Sequence, residues 1–357
     1  MILQRYLALE ILKPTAAILV VLVMILASYT AVTYLAQAVA GSLPVATVGI
    51  LILLRIGMAL EVLLPVTLYL SVIIALGRMY QDSEMTALAA CGVGPARILK
   101  TVFWVALPLA ALAGLASLFL RPEAYVNIYR IQDEAQARFD ISRLEADHFL
   151  SVQNGKIVFF AERVEGRGGG AEGVFIRVEE EEGRRRVIQA RQMIQSAPDR
   201  QGKRRLFFRD GTVYEFDPRQ AGGKVIRFAE AEYPMPREDT DAARYRRKAA
   251  PTPLLFGSRR LEDIAELEWR LSTPFSTILL ALLGVPLARS NPRRGKYARL
   301  GTAVVLFAFY YQAFVVAKTW VEKGFVPPLP GIAWVPALLG LLLAFFLVRM
   351  RRGVWYG

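Results

Sequence analysis

The feature that most constrains this chain is a set of apolar blocks, each near or above the roughly 20 residues that cross a bilayer's hydrocarbon core. They fall at about residues 14–40, 47–77, 101–120, 273–288, 300–320 and 332–348. Most lack the polar stripe that a soluble helix of that length would show. Three blocks precede a long charged stretch and three follow it. This predicts an α-helical membrane protein with six transmembrane helices in a 3+3 arrangement. A signal peptide is the rival reading of the first block, since Ala36-Gln37-Ala38 resembles a cleavage site. The block exceeds the roughly 7–15 apolar residues of a signal h-region, which favours a retained span. Residues 1–13 read as a short interfacial helix at its head.

The chain carries 44 Lys and Arg and a net charge of +13, which raises nucleic-acid binding as an alternative. Most short basic runs instead flank the apolar blocks, where they set topology. The others are mixed with nearly as many acids, so no nucleic-acid partner is expected. Residues 289–299 hold five basic residues and no acid, and Arg349, Arg351 and Arg352 follow the last block. Residues 41–46 carry no charge, and 321–331 carry Glu322 and Lys323. The expected orientation has both termini cytoplasmic and the charged insert outside.

Residues 121–260 form that insert, between membrane segments 1–120 and 261–357. A helical stretch at about 122–143 leads into it. Candidate strands lie at 148–152, 156–164, 174–178, 186–190, 193–197, 205–209, 212–216 and 224–230. Asn154-Gly155, Gly168-Gly169-Gly170, Asp210-Gly211 and Gly222-Gly223 lie between several of them. Asn-Gly and Asp-Gly favour two-residue hairpins, whose central positions need positive φ. The spacing predicts an all-β sandwich or barrel. Phe149, Val158, Phe160, Phe175 and Phe208 fall among the apolar strand residues. Sequence alone allows a packed core or an apolar groove, and favours the core.

Several chemistries are excluded. One cysteine, Cys91, and one histidine, His148, supply neither a disulfide nor a cysteine or two-histidine metal site. No cofactor or metal is expected, and no catalytic constellation is present. Without a G-x-x-x-x-G-K-[ST] loop, any ATP that energises the protein is hydrolysed by another chain.

The stretch between the second and third blocks, residues 78–100, is the most informative. It predicts a short cytoplasmic helix at about 82–91, capped by Asp82 or Ser83. Glu84 lies in the first turn, where the helix dipole favours a carboxylate. Met85, Leu88 and Ala89 form one apolar face, and Gly92-Val93-Gly94-Pro95 ends the helix. Spacing leaves two readings open: docking into a partner's groove, or rest on lipid headgroups. Arg55 and Glu61 interrupt the second block. Ionisable groups there face a cavity, a partner or the interface. Arg55 is placed at the outer headgroup level, where it can snorkel, and Glu61 about 9 Å deeper, facing the bundle interior or hydrogen-bonded to a neighbouring helix. Lys318, at the outer end of the fifth block, snorkels or meets an anionic headgroup.

Certain motifs in order then resemble a known family. They are Arg5-Tyr6-Leu7, Leu63-Leu64-Pro65, Gly77-Arg78-Met79-Tyr80, and Ser83-Glu84-Met85-Thr86 with Gly92. Later come Trp269-Arg270-Leu271-Ser272 with Pro274, Pro286-Leu287, Asn291-Pro292-Arg293, Gly295-Lys296-Tyr297 and Glu322-Lys323-Gly324. The chain resembles the lipopolysaccharide export permease family, LptF and LptG, and leans to the LptF branch. The paralogous LptG role and a membrane-anchored sensor or assembly factor are the alternatives. The resemblance implies the permease half of an ABC transporter, located in the bacterial inner membrane. Its implied partners are an LptG-like paralogue, a dimeric LptB-like ATPase, a single-span LptC-like protein and a periplasmic LptA-like bridge. Its implied cargo is lipopolysaccharide. The insert becomes a periplasmic jelly-roll-like domain with an apolar groove. Glu84, flanked by Ser83 and Met85, becomes the carboxylate that engages the ATPase, with Asp82 and Leu88 on the same helix. Arg55, Glu61, Lys318, Phe149, Val158, Phe160 and Phe208 are the candidates for the lipid's path.

Overall fold

The computed structural model describes residues 2–39, 43–137, 149–152, 157–165, 170–179, 185–196, 205–216, 223–234, 247–289 and 300–351. The chain divides into two compact units. One comprises residues 1–35, 46–130 and 245–357; the other comprises 36–45 and 131–244.

The first unit is helical. Its helices are α1 (Ile2–Val39), α2 (Val45–Gln81), α3 (Glu84–Ala90), α4 (Pro95–Leu115) and α5 (Arg121–Ala137), the last preceded by a π-helical turn at Ala116–Leu120. After the insert come α6 (Thr252–Phe256), α7 (Leu261–Leu287), α8 (Leu300–Glu322) and α9 (Trp334–Arg351). Among the described residues, five helices are long and apolar enough to cross a membrane: Ile2–Val39, Val45–Gln81, Pro95–Gln132, Leu261–Leu287 and Leu300–Glu322. The apolar part of α9, Trp334–Met350, is shorter, about 26 Å at 1.5 Å per residue.

One expected break is absent. The interfacial helix and first span are one helix, because the buried stripe Leu7, Ile11 and Thr15 runs straight past Pro14. Helix α7 likewise runs unbroken past Pro274. Hydroxyls inside these apolar helices find acceptors one turn back: Thr15 on the Ile11 carbonyl, Ser71 on Thr67 and Thr277 on Thr273. That removes the cost of an unpaired donor in an apolar medium. Thr30 and Thr33 on α1 do the same, donating to the Leu26 and Tyr29 carbonyls.

Close approach sets the bundle's core. A Cβ on Gly284 of α7 would lie 3.0 Å from Val72 and 3.3 Å from the Tyr69 carbonyl of α2. Gly114 of α4 stands against Pro274 of α7 in the same way. One apolar cluster joins Leu7 and Ile11 of α1, Leu76 and Met79 of α2, Met85 of α3, Ile98 and Val102 of α4, and Val285 of α7.

The second unit holds one antiparallel sheet, β1 to β6 in sequential order. Its strands are β1 (Leu150–Val152), β2 (Ile157–Glu165), β3 (Gly170–Glu179), β4 (Arg185–Gln195), β5 (Arg205–Phe216) and β6 (Gly223–Pro234). The all-β insert is as expected, and its described strands follow one another as a meander. Two expectations change. The pairs 186–190 with 193–197, and 205–209 with 212–216, are each one strand. Asp210-Gly211 lies inside β5 and is no hairpin turn. The reason is a break in side-chain alternation. Buried positions run Ala171 then Val174, Ile176 and Val178 on β3, and Ile188 and Ala190 then Met193 on β4. Strict alternation would send the later ones to the opposite face. Gly173 and Asp210, at φ 61° and 49°, supply the extra rotation on β3 and β5, and the apolar side chains form one cluster. Gly211 is required beside them, since a Cβ there would lie 2.4 Å from the Phe228 ring and 2.6 Å from the Gln189 carbonyl.

Candidate functional site

Two places in the helical unit concentrate charge where apolar sequence predominates. The first is an ionic cluster inside the bundle. Arg121 donates to Glu61 Oε1 at 2.7 Å and lies 3.4 Å from Glu266. Trp269 Nε1–H donates to the same Glu61 oxygen at 3.0 Å. Glu266 also accepts from Arg270 Nε at 3.2 Å and pairs with Lys318. The cluster thus ties α2, α5, α7 and α8 together. Desolvating such charges costs several kcal/mol each, so they persist only when paired.

Arg270, fully buried, is saturated. Beyond Glu266 it donates to the carbonyls of Ala250, Arg247 and Lys248 and to Thr252 Oγ1. Thr252 in turn donates to the Leu118 carbonyl at 2.6 Å. Leu118 lies in the π-helical turn, where carbonyls lose their regular α-helical partner. One hydroxyl therefore connects the wide turn to the buried guanidinium.

Trp269 stands at the cluster's edge, with the Lys318 ammonium 5.0 Å and the Arg121 guanidinium 5.6 Å from its ring centre. Beside it opens a cleft walled by Glu61 and Pro65 of α2, Trp269 and Thr273 of α7, and Tyr310 and Phe314 of α8. Of the residues expected on the lipid path, Glu61 faces the bundle interior at this cleft. Lys318 is turned inward onto Glu266, with its side chain 13% exposed. Arg55 is exposed on α2. Sequence reasoning missed Arg121, Glu266 and Arg270 as members. The available signal was Asp263, Glu266 and Arg270, spaced three and four apart on one face of α7 and all buried.

The second place is α3. The turn from α2 puts Ser83 at φ 61°, so its side chain does not cap the helix; its carbonyl accepts from Ala87 N–H at 3.0 Å. Asp82 makes no cap either and lies 3.9 Å from Arg78. At the other end Val93 N–H reaches the Leu88 carbonyl and Gly92 N–H the Ala89 carbonyl. Gly92 has φ +78°. This is a Schellman closure, which glycine favours. Met85 is buried in the bundle's apolar cluster and Leu88 packs against it. Glu84, half-buried in the first turn, accepts the Tyr6 hydroxyl at 2.8 Å. Arg78 pairs with Glu10 one turn further along α1.

In the sheet, Phe208 is buried in the apolar cluster. Phe149 and Phe160 stack with ring centres 4.8 Å apart. Phe160 and Val158 alternate with the buried Phe159 and Ala161 along β2, so they face away from that cluster. The four expected groove residues therefore occupy two faces. His148 lies outside the described residues. Among those described, no group of three or more His, Cys, Asp or Glu could hold a metal.

The chain is 28% identical to the lipopolysaccharide export system permease protein LptF of Escherichia coli (strain K12), over 362 residues that take in 97% of this chain and 94% of that protein. LptF of Shigella flexneri matches with the same figures. The family model for the lipopolysaccharide export system permease LptF/LptG matches residues 5–350, and the chain accordingly belongs to that family of membrane permeases.

Proposed function

We propose that this chain is the LptF-type permease of a transporter that lifts lipopolysaccharide from the inner membrane, and that α3 is where an ATPase drives it. The chain works beside an LptG-like paralogue, with two copies of an LptB-like ATPase on the cytoplasmic side. A single-span LptC-like protein and a periplasmic LptA-like bridge receive the lipid. The basic loop 289–299 and the arginines after α9 support cytoplasmic termini, with α9 as the sixth span and the sheet in the periplasm.

The observation that carries this reading is the placement of Glu84. Its helix is pinned to the bundle through Met85, and its carboxylate is tied to α1 by Tyr6. A cation on the ATPase that engages Glu84 would push on α1, α2 and α4 together. Asp82 and Ser83 border the docking face, and Leu88 fixes the helix from below. Movement of α1 and α8 then closes the lipid's space and drives it outward. Acyl chains cost about 0.8 kcal/mol per CH₂ exposed to water, so they need an apolar surface throughout. In the sheet that surface is the face carrying Phe208; Phe149, Val158 and Phe160 belong to the other face.

The test is Glu84→Ala and Glu84→Lys, read by co-purification of the ATPase and by lipid released per ATP hydrolysed. A loss of about 10-fold or more is expected, greater for Lys, which sets like charges together. Variants that bind the ATPase normally and export at full rate would remove Glu84 from the coupling path.

A further inference from the structure

We infer that the cleft beside Glu61 is a lipid-headgroup subsite that takes a hydrogen-bond donor, a hydroxyl or primary ammonium, and not a phosphate. Glu61 is 7% exposed. Its Oε1 is doubly used, by Arg121 and by Trp269. Its Oε2 is buried without a hydrogen-bond partner among the described residues. A buried carboxylate oxygen left without a donor is costly, and proteins rarely leave one so. The carboxylate is also part of the cleft wall, so the missing donor has a place to come from.

The rest of the wall identifies the donor's carrier. Phe307, Tyr310, Tyr311 and Phe314 of α8 and Trp269 of α7 make it largely aromatic. Ligand sites are mostly apolar with a few placed polar groups, and this wall has that composition. That pairing suits an amphiphile: apolar chain against the rings, one donor on the carboxylate. A phosphate offers only acceptor oxygens and would meet a like charge. Lys318 and Arg121, the nearest cations, are already engaged by Glu266 and Glu61.

Depth agrees. Glu61 lies 16 residues before Gly77 on α2, about 24 Å along the helix. In a hydrocarbon core of about 30 Å, with Gly77 at the cytoplasmic edge, the carboxylate lies just under the outer headgroups. This step rests on the orientation proposed above. The donor is a sugar hydroxyl of the exported lipid or the ammonium of a bilayer phosphatidylethanolamine.

The experiment is photocrosslinking of the full chain in nanodiscs, with p-benzoylphenylalanine in place of Phe307 and adducts identified by mass. Three bilayers are compared: phosphatidylethanolamine, phosphatidylcholine with the same acyl chains, and that phosphatidylcholine doped with lipopolysaccharide. The choline headgroup has no donor. Adducts with phosphatidylethanolamine or lipopolysaccharide should exceed those with phosphatidylcholine by about 10-fold, the worth of one hydrogen bond to a charged group. Glu61→Gln should remove most of that preference. Val62→Trp, at another residue of the cleft wall, should abolish the adducts even if Glu61→Gln does not fold. A preference for phosphatidylethanolamine alone names the bilayer as the source, and one for lipopolysaccharide alone names the cargo. Both support the subsite, and neither bears on Glu84. Equal adducts from all three bilayers, or a preference that survives in folded Glu61→Gln, would overturn it.

Discussion

Glu266→Gln is the most informative single change to the ionic cluster. Glu266 is 1% exposed and holds Arg121 at 3.4 Å, Arg270 at 3.2 Å and Lys318. Removing its charge leaves the fully buried Arg270 without a carboxylate, Arg121 with Glu61 alone and Lys318 with only Glu322 at 4.0 Å. Breaking one buried pair in this way costs about 3–5 kcal/mol. The partners decide a ranking. Arg121→Met leaves Glu61 with Trp269 and leaves Glu266 with two cations. Lys318→Met leaves Glu266 with both arginines and relieves a partly exposed ammonium. The cost should therefore fall in the order Glu266→Gln, Arg121→Met, Lys318→Met. At about 2–4 °C per kcal/mol, the first should lower the unfolding midpoint by roughly 6–20 °C, measured by tryptophan fluorescence in nanodiscs at one fixed scan rate. A Lys318→Met loss larger than that of Glu266→Gln, or three losses all under about 2 °C, would refute Glu266 as the cluster's hub.

The remaining predictions concern three glycines. Gly211→Ala drives a methyl group into the Phe228 ring and the Gln189 carbonyl; it should cost about 1–3 kcal/mol, seen as earlier proteolysis within the sheet while the helical unit's midpoint stays put. Gly284→Val should separate α7 from α2 at Val72 and Tyr69, with a similar loss in the helical unit's midpoint, whereas Gly340→Ala, with open space around its Cβ position, should leave it unchanged.

The helices were legible because an apolar block reports its surroundings residue by residue. The span at 300–320 became α8, Leu300–Glu322, and Gly92 ended α3 as expected. Partnership was less legible. Glu61 was noticed because a carboxylate in an apolar block is rare, but its partner Arg121 stands at the end of another block, 60 positions on, and looks there like an ordinary boundary arginine. Lys318 reads as snorkelling or as meeting an anionic headgroup for the same reason: its partner Glu266 comes from a segment whose burial no local pattern announces. In the sheet, alternation failed at Gly173 and Asp210, where left-handed backbone changes which face a side chain meets. Asp-Gly is a strong turn signal, and pairing with β4 and β6 on both sides keeps that left-handed pair within one strand. Ser83 looked like a cap by residue type, and the left-handed turn it serves removed it from that role.

The π-helical turn at Ala116–Leu120 has a consequence for how this chain tolerates change. A π turn holds one more residue than an α turn while keeping the helix continuous on both sides. The segment before it is fixed by Ala106, Ala110 and Ala113 in the core, and the segment after it by Arg121 in the ionic cluster. The extra residue is thus slack stored between two fixed points. A chain one residue shorter here could close into plain α-helix with Arg121 still aimed at Glu61. One residue longer, and the arginine would be carried about 100° round the axis, away from both carboxylates. Length variation in this span is therefore directional: deletion is absorbed, insertion is not.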